Sequence, residues 1–162
     1  MATDRLATYL SDHLAGSVSA AELVERLRRS DLDTSLAAAL GQVAESISRH
    51  QDILRDLLAQ RGRDEHQAKN LAAWLAEKFS RPAMPVKDDD EFGLLRALEA
   101  LILGMRGRVA MWQALEAIEP SHPELIALDA HALCLEAEDQ LRMMDRHRLE
   151  VARIALRGWG DG

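Results

Sequence analysis

Three ionisable side chains recur every seven residues in the C-terminal part of the chain, namely His131, Glu138 and Asp145. Seven residues make close to two helical turns, so these side chains share one stripe of a helix predicted over residues 125–157. The rest of that helix is rich in leucine, alanine and methionine. The stripe therefore either lines a polar seam inside a helical bundle or faces water.

Other polar side chains interrupt apolar helical faces earlier in the chain. His13 lies at the edge of the first face, His50 takes a position in the second, and Glu99 is the inward polar candidate of the third long helix. Imidazole and carboxylate groups suit iron, manganese or zinc, so His13, His50, Glu99 and Glu138 are the candidate metal ligands. The sequence favours a buried polar network of the same residues, with Arg142 as one partner of Glu138, because an unpaired buried carboxylate is costly.

The composition favours helix throughout one domain spanning residues 1–162. Alanine, leucine, arginine and glutamate dominate, and aromatic residues make up only 4% of the 162 residues, which argues against strands. A chain of this length is long enough for a substantial core but too short for two ordinary domains. The predicted class is all-α.

Charge and hydropathy argue against two classes of partner. A net charge of −7 gives no electrostatic footprint for nucleic acid. The N-terminus lacks a basic segment followed by an apolar run, and no apolar stretch is long enough to span a membrane. We therefore expect a cytoplasmic protein in which Cys134, the single cysteine, is a small core residue.

Apolar periodicity predicts four long helices and one short one. The expected ranges are about 4–29, 34–61, 64–80 for the short helix, 91–119 and 125–157, with a tail over 158–162. Asp33 and Ser121 are the predicted N-caps of the second and last long helices, and Gly62 is expected just beyond the end of the second. Gly16 would let another part of the chain approach closely. Gly104 and Gly107 are expected to mark a close helix crossing, with a kink as the alternative.

The spacing of the long helices predicts a topology. The second and third are separated by roughly 28 residues, whereas the outer connections are only a few residues long. A long connection allows these two helices to run parallel, with the short helix in the crossover. The competing topology is an up-and-down bundle in which the short helix is a fifth core member. The short helix has only a single narrow apolar face, which favours its place in the crossover.

This arrangement resembles the ferritin-like superfamily of four-helix bundles over nearly the whole chain. Di-iron members of that superfamily carry a carboxylate on each of two helices and a Glu-x-x-His pair on each of the other two. Here His50 has a histidine's place, but Ile47 stands where its glutamate would be. Glu138 has a glutamate's place, but Leu141 stands where its histidine would be. The resemblance thus implies the fold with an incomplete di-iron ligand set.

The sequence favours a non-catalytic protein over an enzyme. It contains no glycine-rich phosphate loop and no nucleophile elbow. We expect function through protein interaction or self-association as a homodimer, with an interface built from apolar side chains beyond one face per helix: Trp74, Met111, Trp112, Leu115, Met143 and Met144. The alternatives are a metal-binding oxidoreductase or metal-storage protein with an atypical site, and a bundle holding a small apolar ligand between its helices.

Overall fold

A computed structural model describes residues 4–62 and 90–157 of the chain. Four long α-helices account for most of these residues, and no strand occurs within the two described ranges. They are α1 (Arg5–Arg28), α2 (Thr34–Gln60), α3 (Glu91–Ile118) and α4 (Ala130–Ala155). The all-α prediction is confirmed, whereas the short helix at 64–80, with Trp74, and the tail at 158–162 lie outside the described residues.

The chain divides into two compact units, Met1–Asp88 and Asp89–Gly162. The first contains α1 and α2, and the second contains α3 and α4. That residues 1–162 form one domain stays a prediction.

The described part of the first unit, residues 4–62, is an antiparallel helical hairpin. Asp4 caps α1 by accepting a hydrogen bond from the Ala7 amide, and its carboxylate lies 3.6 Å from Nη1 of Arg61, just beyond the end of α2. Asp33 caps α2, as predicted, by accepting from the amides of Ser35 and Leu36. The buried face consists mainly of aliphatic residues at helical spacing, including Leu10, Leu14, Val24, Leu27, Leu36, Leu40, Val43, Ile47 and Leu54.

Gly62 follows α2 in the left-handed conformation, with φ of 68°. Its amide donates to the Ala59 carbonyl at 3.0 Å, so the prediction of a glycine just beyond this helix is confirmed. The expectation of close approach at Gly16 and Gly107 is wrong. A Cβ atom built at either residue would meet no atom within 4 Å beyond its own helix's neighbouring backbone.

The second unit is also a helical hairpin, with a more complex connection. Asp90 caps α3 by accepting from the Gly93 amide at 2.7 Å. Two 3-10 segments, Glu119–Ser121 and Pro123–Leu128, then lead to α4. The last helix begins at Ala130, five residues later than the predicted range.

Asp129, and not Ser121, is the N-cap of α4. Asp129 has φ of 49°, and its carboxylate accepts a hydrogen bond from the Ala132 amide at 3.1 Å. Proline cannot donate a backbone hydrogen bond, which explains why the stretch containing Pro120 and Pro123 forms short 3-10 turns before the regular helix. Leu125 is nevertheless buried within this connection.

Candidate functional site

The two histidines among the predicted ligands lie in the first unit. His50 is buried in the middle of α2, with 2% of its surface exposed, one turn from the buried Ser46. His13 is half-buried on α1, and its ring meets that of Tyr9 edge to face with 4.5 Å between centroids. Burial lowers the pKa of His13, and the nearby Asp12 carboxylate opposes that shift. A neutral imidazole at His13 is therefore favoured at neutral pH.

The two glutamates among the predicted ligands lie in the second unit, and each lies near an arginine. Oε2 of Glu138 is 3.5 Å from Nη1 of Arg142, one turn further along α4. Oε1 of Glu99, exposed on α3, is 3.7 Å from Nη1 of Arg148 on α4. These contacts supply the charge compensation that a carboxylate requires without a metal ion.

The structure thus places His13 and His50 in one unit and Glu99 and Glu138 in the other. Within residues 4–62 and 90–157, no group of three or more histidine, cysteine, aspartate or glutamate side chains is arranged to hold a metal ion. The metal site and the polar network joining all four residues both remain predictions.

Polar contacts that sequence reasoning missed connect α3 with α4. Nη2 of Arg108 donates to Oε1 of Gln140 at 2.8 Å, and Nδ1 of His131 lies 3.0 Å from Oε1 of Glu116. The Glu99–Arg148 contact is a third such pair. Going from Glu99 through Arg108 to Glu116 along α3, the partner residue on α4 lies progressively nearer the N-terminus of α4. These pairs therefore follow the antiparallel register of the hairpin, and no local sequence signal could have matched them.

The heptad stripe on α4 does not form a catalytic cluster. His131 is exposed and contacts Glu116, whereas Asp145 accepts a hydrogen bond from Nε of Arg148 at 2.7 Å. Glu138 interacts locally with Arg142 and with the thiol of Cys134, whose Sγ lies 3.9 Å away. The stripe is a set of separate surface and partly buried contacts along one helix.

Cys134 is buried beside acidic side chains, in agreement with the prediction of a core residue. Burial, the charges of Glu138 and Glu116, and the hydrogen bond to Glu138 all raise the pKa of its thiol. Because the thiolate is the reactive form, this environment opposes nucleophilic chemistry at Cys134.

A groove of about 620 Å³ runs along the first unit beside the C-terminal half of α1. Exposed arginine and glutamate side chains line it, among them Arg26, Arg29 and Arg55, together with Val18 and Ala21. None of the residues lining it is a histidine, cysteine, serine or aspartate. Among the described residues it therefore offers a mixed-charge surface that includes the carboxylates of Glu22 and Glu25.

Several residues that the sequence assigned to an interface are core residues. Met111, Trp112, Leu115 and Met144 are all buried, so they cannot form a free contact surface. Met143 is partly buried. The excess of apolar residues on these helices therefore serves the chain's own packing.

The large apolar side chains that are exposed all lie in the second unit, among the residues that the structure describes: Phe92, Leu103, Ile126, Leu135, Leu149, Ile154 and Leu156. Three of them, Leu135, Leu149 and Leu156, are separated by multiples of seven residues. They form a line along α4 and its C-terminal cap, which we call the α4 apolar stripe. Single exposed leucines are ordinary on protein surfaces, but a line of them indicates contact with another surface.

Comparison with known proteins returned no match among family models, curated proteins or solved structures. Among the described helices, none combines the length and the apolar character needed to cross a bilayer.

Proposed function

We propose that this protein is a non-catalytic helical protein that acts through protein interaction and self-associates through the α4 apolar stripe. The observation that carries the proposal is the exposure of Leu135, Leu149 and Leu156 along one line of one helix. Burying such a line in a helix-to-helix contact removes apolar surface from water, the main favourable term in protein association. Several polar groups on the same helix, among them Arg142 and Arg148, form ion pairs within the second unit.

Measurement of molar mass by light scattering across a range of protein concentrations tests this proposal. We expect a dimer that dissociates on dilution, and a Leu135→Glu, Leu149→Glu double variant that remains monomeric. Leu103→Glu is the matched control, because Leu103 is 70% exposed on α3 and lies outside the stripe. A wild-type protein that stays monomeric at every concentration would contradict the proposal.

We also propose that the four long helices form a ferritin-like bundle in which the second and third long helices run parallel. Its support is the number of long helices and the long connection between residues 62 and 90. Distances between spin labels at exposed positions of α2 and α3 test it. Label pairs near both N-terminal ends should be close together if the helices are parallel, and far apart in an antiparallel pair.

The metal-binding alternative makes a separate prediction. If a ferritin-like site with iron, manganese or zinc is present, elemental analysis of protein produced in supplemented medium should find near-stoichiometric metal. His50→Ala and Glu138→Ala should lose that metal, whereas His131→Ala, which alters an exposed histidine, should keep it. Metal with this dependence would replace the interaction proposal by a metal-dependent function.

A further inference from the structure

We draw no further inference here: the strongest candidate, the groove beside the C-terminal half of α1, carries nothing because the described residues that line it combine three arginines with two glutamates, and this mixture of charges selects no class of ligand.

Discussion

In the described parts of the two helical hairpins, the first unit buries Ser11, Ser46 and His50, whereas the second buries no polar or charged residue. The second instead leaves seven large apolar side chains exposed, whereas residues 4–62 of the first unit leave none. Both buried cores are otherwise apolar. Within the described residues, the two units therefore differ in the side chains that they expose to solvent, and only the second exposes large apolar ones.

The polar contacts reinforce this difference. In the second unit, arginine, glutamine, histidine and glutamate side chains link α3 to α4 along the hairpin, at the positions of Arg108, Glu116 and Glu99. These links join α4 to α3 at three places along its length.

The largest expected effects come from truncating one core leucine in each unit. Leu40→Ala in the first unit and Leu98→Ala in the second should each lower the free energy of unfolding by about 2–5 kcal/mol, because both side chains are fully buried. Leu103→Ala, at an exposed position, should change it by less than about 0.5 kcal/mol. Denaturant unfolding followed by circular dichroism measures all three. A cost at Leu103 equal to that at Leu98 would show that the apparent surface of the second unit is covered.

The N-caps of α2 and α4 should contribute different amounts to the free energy of unfolding. Asp129→Ala in the second unit should cost about 1–2 kcal/mol, because it removes the cap and leaves alanine at a positive φ. Asp33→Ala in the first unit removes a cap from an ordinary conformation, with φ of −61°, and should cost about 1 kcal/mol. Asp129→Asn is the control, since asparagine caps helices and tolerates the left-handed region. Equal costs for the two alanine variants would contradict the role given to backbone conformation.

Replacing glycine by alanine should raise the free energy of unfolding at some positions and lower it at another. Gly41→Ala in the first unit and Gly107→Ala in the second should each stabilise by about 0.5–1 kcal/mol, because both lie inside helices with open space around the new methyl group. Gly62→Ala should destabilise by about 1 kcal/mol, because its φ of 68° is unfavourable for alanine. Loss of stability at Gly107 would reveal a close neighbour there.

The smallest expected effect is a pH dependence confined to the first unit. Burial lowers the pKa of His13 in the folded chain below the ordinary value of 6.5, so the unfolded chain binds a proton more readily. The contribution of His13 to stability should be fully present above pH 6.5 and should be lost as the pH falls through the lowered pKa. His13→Gln should flatten the stability profile in that range, whereas His131→Gln, on an exposed histidine, serves as the control. An unchanged profile in His13→Gln would contradict this assignment.

Local patterns in the sequence predicted the long helices closely, because apolar periodicity, aspartate caps and the glycine after α2 act within a few residues of one another. The start of α4 was missed for a related reason. Ser121 and Glu124 satisfy a capping pattern, but two prolines shorten the helical turns there, and Asp129 supplies the cap by adopting a left-handed conformation. Whether Ser121 or Asp129 caps α4 therefore depends on the conformation of all the residues between α3 and α4.

By itself, the sequence determined the all-α class, the Asp33 cap of the second long helix and the burial of His50 and Cys134, since helical periodicity separates inward from outward positions. Only the tertiary structure decided which polar groups meet and which apolar groups remain exposed. Arg108 finds Gln140 and Glu99 finds Arg148 through the register of a hairpin. Likewise, Trp112 is buried and Leu149 is exposed, although both belong to apolar helices. Such choices depend on which face of each helix the neighbouring helix covers, and that information is not local in the chain.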